Sequence, residues 1–485
     1  VQQPINTSNK FDFSFAKNDC SVGETKKDLS YLWIFIISFL SGLAALFTPC
    51  VFPLIPLTVN FFTKGGKDKK EGLKKAFIYG LSIIVIYVAL GLIVSTVFGA
   101  DSLQWFSTSM ILNLVFFIVF IIFGISFLGY FEITLPASWA NKTDTLSSKG
   151  GFVGIFFMAF TLAIVSFSCT GPIVGTLLVQ TAGKGNLAPA IGMFGFALAL
   201  ALPFMLFAMF PQWLQSLPKS GGWMNRIKVV LGFIEISLAF KFLSTVDLTQ
   251  GWNVLKWEPF LIIWIIIFIA LALYSFGFIK FPHVNPKEKP SLFLKSFGLL
   301  NLAFVAYLFY GLITYQSLNL LSGIVPPSTY NFFHKEKSDL IHFDDYEKGL
   351  QYAKEHDMPI LIDFTGHGCV NCRRIEDKVW SNSMVKEQMK KYVIVSLYTD
   401  DRKSLPENEW YSSNASGRTK EIKTVGGKWA DFQIKNFQTI QQPQYILINN
   451  KEQLLNQPVA YDFSKEKSNY ISFLKCGLKM NTQLK

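Results

Sequence analysis

Charged residues are scarce in this 485-residue chain: Asp, Glu, Lys and Arg make up 16% of it, where a soluble domain carries about 25%. Cysteine is sparse too, six in all, which is too few for a disulfide framework at this length. Neither a Met nor a cleavable signal sequence opens the chain at Val1, which indicates an N-terminus that was processed or truncated. Apolar residues are abundant instead. Hydrophobic residues reach 51%, aromatics 16%, and Phe alone occurs 48 times. These proportions exclude a disordered chain, a disulfide-dense secreted scaffold and an ordinary cytosolic enzyme. They point to an integral membrane protein with a soluble part attached, and the length allows two or three domains.

No charge interrupts positions 29–63, and about 20 apolar residues span the hydrocarbon. Further spans are predicted at 76–99, 109–130, 152–181, 187–213, 227–246, 259–279 and 296–316, eight in total. They are continuous apolar runs without period-2 alternation, which excludes a membrane β-barrel. The loops after spans 1, 3, 5 and 7 carry 15 basic residues against two in the loops after spans 2, 4 and 6. The basic set is therefore cytoplasmic, and both termini are predicted on the periplasmic side. The same loops carry five acids, so most of the net charge of +12 is a topology signal that follows from contact with membrane lipid. It does not point to nucleic acid.

Four segments follow: a periplasmic N-terminal remnant at 1–28, a transmembrane domain at 29–320, a linker containing Pro326 and Pro327 at 321–333, and a mixed, charged soluble domain at 334–485. In the remnant, Phe11, Phe13 and Phe15 alternate as in a strand. In the soluble domain, helices are expected at 341–356, from 369 to 378 and at 470–478, with strands at 359–365, 392–398 and 444–448. Strands alternating with helices suggest an α/β sandwich.

Two spans carry matching motifs. Pro49-Cys50-Val-Phe-Pro53 lies in span 1 and Ser-Cys169-Thr-Gly-Pro172 in span 4. Each has a Cys with Pro three residues later, and the second motif lies three spans after the first. A three-span repeat inverts its orientation, which places a shared site near the bilayer midplane on interrupted helices. Proline removes a backbone donor there, and such backbone is tolerated only when buried in protein or lining a watery cavity. Cys50 and Cys169 are therefore expected to form a disulfide with each other when oxidised. In span 6, Glu235 is a candidate for lining a polar cavity, whereas Lys241, near the outer end, reads as snorkelling.

The soluble domain carries Asp363-Phe-Thr-Gly-His367-Gly-Cys369-Val-Asn-Cys372, read as a strand, a tight loop and a helix start. Cys369 at the helix N-terminus is expected to be the exposed, thiolate-forming sulfur. Cys372, one turn in, can attack a mixed disulfide formed on Cys369. Asp363 on the strand beneath is placed to take the proton of Cys372, Pro443 is a candidate cis-proline facing the pair, and His367 is expected to tune the site. A zinc site would need a second Cys or His pair, which the sequence lacks; no metal and no bound cofactor are expected. Cys476 reads as a core residue of the last helix and Cys20 as part of the remnant.

With both Cys-x-x-Pro spans and the Gly-Cys369-Val-Asn-Cys372-Arg segment, the chain resembles the thiol:disulfide interchange protein DsbD family over residues 29–485. That is a CcdA-like transmembrane domain fused to a thioredoxin-like domain. The segment from Lys423 to Trp429 is most similar to Bacteroidetes members. The resemblance implies transfer of reducing equivalents across the bacterial inner membrane, from cytoplasmic thioredoxin to periplasmic thiol-disulfide proteins, with support of cytochrome c maturation. It implies Cys50 and Cys169 as the membrane dithiol, Cys369 and Cys372 as the periplasmic dithiol, Asp363 as the buried acid and Pro443 as the cis-proline. NADPH would enter only through thioredoxin reductase. Full-length members begin with an immunoglobulin-like domain bearing a third Cys pair. With 28 residues before span 1, either this chain is a fragment or its thioredoxin-like domain serves partners directly. The main rival is a small-solute or metal transporter with a fused thioredoxin-like domain, although the spans offer few metal ligands. A membrane-anchored oxidase or isomerase is a second, opposed by the paired membrane Cys.

Overall fold

The structure, a computed structural model, describes residues 31–46, 69–93, 108–131, 156, 159–160, 187–209, 221–282, 290–334, 339–415 and 419–484. The N-terminal Phe alternation and nearly all of the fourth predicted span lie outside these residues. Among the described residues seven apolar helices come first: α1 (Tyr31–Ala45), α2 (Lys69–Ile93), α3 (Met110–Phe127), α4 (Leu187–Met209), α5 (Gly221–Gln250), α6 (Trp257–Phe276) and α7 (Leu292–Thr314). Among the described residues four are long and apolar enough to cross a membrane: α3, α5 from Asn225, α6 and α7. The apolar stretches of α1, α2 and α4 are shorter. Ile111, Leu299, Leu300 and Phe309 stand exposed on these helices, the all-round hydrophobicity of helices that face lipid.

Among the described residues, α1 and α2 both pack on α4, and α3 packs on α5. The α3–α5 crossing is built on small residues. A Cβ on Gly124 would stand 2.5 Å from Ile236 Cγ1 and 3.2 Å from the Gly232 carbonyl. α6 packs on α7 and against α5.

The chain after α7 is not a free linker. Leu318, Leu321 and Val325 join the apolar cluster of Trp257, Phe260, Trp264 and Leu308. Two buried carboxylates then fasten it. Asp247 accepts from the Tyr330 hydroxyl at 2.7 Å, and Glu258 accepts from the backbone N–H groups of Phe332 and Phe333 at 2.9 and 3.2 Å.

The soluble domain is a five-stranded mixed sheet between two helical layers. Its strands are β1 (His342–Phe343), β2 (Ile360–Thr365), β3 (Val393–Tyr398), β6 (Gln444–Ile448) and β7 (Val459–Ala460), in the order β1-β3-β2-β6-β7. β2 is central, parallel to β3 and antiparallel to β6. Period-2 alternation assigns the faces. Ile360, Ile362 and Phe364 pack toward α8 (Tyr346–Glu355) and α11 (Val425–Phe437). Leu361 and Ile394 pack toward α9 (Val370–Ile375), α10 (Ser383–Met389) and α13 (Lys467–Gln483). A short α12 (Tyr461–Ser464) precedes α13, and β4 (Tyr411–Ser413) pairs with β5 (Lys420–Ile422) as a separate hairpin.

One expectation needs correction. Residues 341–356 are not a single helix. His342 and Phe343 extend alongside Ile394 and Val395 as an edge strand, and the helix begins only after Asp345, whose carboxylate caps the Lys348 N–H at 3.1 Å.

The tight crossing yields a first prediction. Gly124→Val should destabilise the full chain in detergent by about 1–3 kcal/mol, the usual cost of overpacking. Ile118→Val on the exposed face of the same helix should leave the thermal midpoint unchanged. Equal midpoints for the two variants would remove Gly124 from the crossing.

Candidate functional site

β2 ends in a loop, Gly366-His367-Gly368, that delivers Cys369 to the N-cap of α9. Cys369 and Cys372 are joined in a disulfide with Cα atoms 5.3 Å apart, which fits redox-active cysteines. The Cys372 N–H points at Cys369 Sγ across 3.1 Å. Cys369 is partly exposed and Cys372 buried. A donor aimed at the outer sulfur favours its thiolate, so the pair is asymmetric in the way the sequence suggests. After one turn, α9 passes into a π-helical turn, Glu376–Trp380. The Gln442–Pro443 bond is cis, and the Gln442 amide donates to the Thr365 carbonyl at the end of β2, 2.9 Å away.

The turn after β3 holds the loop. Asp400 accepts from the His367 N–H at 2.7 Å and the Gly368 N–H at 2.9 Å. The His367 ring stacks on Tyr398, with Nε2 3.7 Å from an Asp401 carboxylate oxygen. Burial opposes ionisation of Asp401, but His367, the Lys403 N–H and the Lys403 ammonium outweigh it and hold its carboxyl below the usual range. No sequence signal beyond an acidic pair at a strand end marked this turn.

Beneath the disulfide lies a buried charged group. Asp363 is 2% exposed; its carboxylate accepts from the Ser396 hydroxyl at 3.1 Å. Burial first, then the nearby Glu376 carboxylate, push its pKa up to about 8, against the opposing pull of Ser396 and Arg373. Arg373, also buried, pairs with Glu376 at 2.6 Å. Burial is the leading cause that raises Glu376 as well. Arg373 and Glu376 were missed from sequence, although charges three apart on the helix behind a C-x-x-C are a readable pattern.

The loop faces the membrane helices. The Arg402 guanidinium donates to Thr108 Oγ1 at 2.8 Å, just before α3, and the Arg402 backbone N–H donates to the Thr249 carbonyl at the end of α5, 3.1 Å away. A Cβ on Gly368 would stand 3.3 Å from the Thr108 methyl and 3.7 Å from that of Thr245. On the other side, Ser322 donates to Asp377 at 2.5 Å, and a Cβ on Gly323 would stand 2.5 Å from Val370 Cγ1. The start of α3, the end of α5 and the strap after α7 thus gather on the side that carries the C-x-x-C.

Other expected site residues stand apart. Cys50, Cys169, Pro49, Pro53 and Pro172 lie outside the described residues. Glu235 is buried in α5 at 1% exposure, away from the Cys369–Cys372 loop. Lys241, on the same helix, lies within electrostatic reach of Arg373 of the soluble domain. Cys476 is buried on α13, as expected, but is also disulfide-bonded, to a partner outside the described residues.

Comparison with known proteins gives two family matches. Residues 31–246 match the cytochrome C biogenesis protein transmembrane domain, and residues 342–413 match a thioredoxin-like family. Among curated relatives, the chain is 26% identical over 407 residues to the thiol:disulfide interchange protein DsbD of Vibrio vulnificus, covering 81% of this chain and 63% of that protein. It is 26% identical over 396 residues to the protein of the same name from Haemophilus ducreyi, covering 79% and 64%. The chain thus spans just under two thirds of the length of these relatives.

The raised Asp363 fixes the sign of a pH effect. The folded domain holds this proton up to about pH 8, whereas an ordinary Asp loses it near 3.8. Stability is therefore lost as pH rises from about 4 to 8 and is level above. Asp363→Asn does not titrate, so its advantage over the parent should grow across that window to a few kcal/mol, since each tenfold change in proton affinity is worth about 1.4 kcal/mol. Hydrogen exchange of the β3 amides in the full chain reads it; a pH-independent difference would mean that Asp363 ionises normally.

Proposed function

Because the chain belongs to the DsbD family, we propose that it is an inner-membrane protein-disulfide reductase. It carries reducing equivalents from cytoplasmic thioredoxin to periplasmic disulfide proteins, cytochrome c maturation among the beneficiaries. The observation that supports this best is the docking just described: the Cys369–Cys372 loop is seated on the ends of α3 and α5. A disulfide that only served soluble partners would gain nothing from that contact, whereas one reduced by a membrane dithiol needs it.

Each step is attack of a thiolate on a disulfide sulfur. Cys50 and Cys169 are the membrane dithiol, with Pro49, Pro53 and Pro172 keeping their helices open to water. They reduce Cys369–Cys372. Cys369 then attacks the substrate disulfide, and Cys372 resolves the mixed disulfide while Asp363 takes its proton. Pro443 and His367 shape the surface around Cys369, and Glu235 keeps a polar element within the bundle. Substrate needs the same face of Cys369 that the bundle covers, so the two exchanges alternate. The full transmembrane domain has eight helices in an inverted repeat. Its basic loops are cytoplasmic, and both termini and the soluble domain are periplasmic.

Rapid alkylation in living cells tests the relay. In the parent, part of the Cys369–Cys372 pair should be caught reduced, and Cys50→Ala or Cys169→Ala should leave it wholly oxidised. Persistence of the reduced pair in those variants would sink the membrane route. Cys372→Ser should accumulate mixed disulfides through Cys369, and Cys369→Ser far fewer; the reverse order would reassign the two sulfurs.

Topology has its own readout. An alkaline phosphatase fused after Lys485 folds only in the periplasm and should be active. An inactive fusion, with an active one in the 63–76 loop, would invert the orientation.

A further inference from the structure

Asp363 is sealed from solvent, yet the reaction above requires it to gain and lose a proton in every cycle. One route leads outward. Ser396 is the Cα partner of Asp363 across β2 and β3; it is itself buried and donates to Asp363 Oδ2 at 3.1 Å. Its oxygen can still accept, and His342 Nε2 stands 3.0 Å away. His342 is the exposed residue of edge strand β1. A buried carboxyl, a buried hydroxyl and an exposed imidazole therefore form one hydrogen-bonded row across β2, β3 and β1, on the sheet face that carries α9.

We propose that Ser396 and His342 carry the proton between Asp363 and water during thiol–disulfide exchange. The inference rests on the exchange reading given above. As Cys372 attacks the mixed disulfide, a bond forms between its sulfur and that of Cys369. The bond from Cys369 to the substrate sulfur breaks, and the substrate leaves as a thiolate. Two electrons pass from the Cys369–Cys372 pair to the substrate, and the Cys372 proton goes to the Asp363 carboxylate. Asp363 then gives a proton to Ser396 Oγ while the Ser396 hydroxyl proton moves to His342 Nε2, and the imidazolium releases one from Nδ1 to water. When the pair is reduced again, the same row returns a proton to Cys372. Ser396 and His342 act through Asp363 and are positioning residues, not catalytic ones.

Other groups around this row do not offer the same path. Arg373 and Glu376 face Asp363 from α9 and the π-helical turn and are paired to each other. Tyr398, Tyr445 and Tyr470 face it from β3, β6 and α13, and burial raises all three phenols above their usual range. Asp344 is the charged neighbour of His342.

The test uses the full chain carrying Cys20→Ala, Cys50→Ala, Cys169→Ala and Cys476→Ala, which leaves Cys369 and Cys372 as the two thiols, reduced and mixed with an aromatic disulfide, dithiobis-nitrobenzoate. One coloured thiolate is released as Cys369 is tagged and a second as Cys372 resolves the adduct; stopped flow follows the second across pH. His342→Ala should slow it near neutral pH by at least about 10-fold, a low figure for loss of a positioned proton carrier, and added imidazole should restore the rate. Ser396→Ala should slow it as well without imidazole rescue, and should move the alkaline midpoint upward because the carboxylate loses a donor. Ser396→Thr, which keeps the hydroxyl, should retain the parent rate. An unchanged rate in His342→Ala, or a slow one that imidazole leaves slow, overturns the proton path while leaving the exchange reading intact. Absence of the second thiolate in the parent overturns both.

Discussion

Three consecutive residues, Asp400, Asp401 and Arg402, hold the two parts of this protein in register. Asp400 binds the backbone of the loop that presents Cys369. The Asp401 carbonyl accepts from the Gly426 N–H at 3.0 Å, fixing the start of α11. Arg402 reaches the ends of two membrane helices. The sulfur pair, the helical layer behind the sheet and the bundle are thus referenced to one turn after β3. A shift of that turn would move the disulfide relative to both its supports. The strap after α7 closes the arrangement from the other side, because Asp247 and Glu258 fix where Ser322 and Gly323 meet Asp377 and Val370.

The described contacts between the C-x-x-C face and the bundle are few and largely polar. Hydrogen bonds of this kind contribute about 1 kcal/mol each, since water competes for the same groups. By contrast, the strap is held by apolar burial beside Trp257 and Trp264 as well as by two buried carboxylates. The anchoring is therefore strong where the chain leaves the bundle and weak where the sulfur pair touches it. That difference in strength suits the proposed relay, in which one face of the sulfur pair meets two partners in turn.

Much of this was legible in the sequence because the relevant signals are local. Apolar runs marked the helices that are long and apolar enough to cross a membrane, and the strand–loop–Cys-x-x-Cys spacing put Asp363 on a strand and Cys369 and Cys372 at a helix start, as β2 and α9 have them. Signals that depend on distant partners were not legible. The two-residue β1 is a strand only because β3 offers an edge to it. α11 was missed since Gly426 and Gly427 argue against a helix, yet Thr424 caps the Gly427 N–H, and Gly426 lies against Asp401 too closely for a side chain. The strap read as a linker because Pro326 and Pro327 break helices, whereas its packing depends on carboxylates about 70–80 residues upstream. Arg402 carried no pattern at all, since its partners are the ends of two other helices.

The sheet face toward α9 explains why a buried acid persists at a cost to stability. Leu361, Ile394, Tyr445 and Leu447 make that face largely apolar, and the Asp363–Ser396 pair interrupts it. An isolated carboxylate there would shift its pKa rather than remain charged, and Asp363 does so, to about 8. An apolar residue would pack without that penalty but could not accept a proton. Moving the acid to the helix would expose it to water and return it to an ordinary carboxylate, ionised throughout the physiological range and too weak a base for a thiol with a free pKa of about 8.5. In the proposed exchange, a position on the sheet, beneath the helix and shielded by it, gives the carboxyl a proton affinity close to that of a thiol. On that reading, the energy that burial costs the fold is the same energy that would match the acid to Cys372.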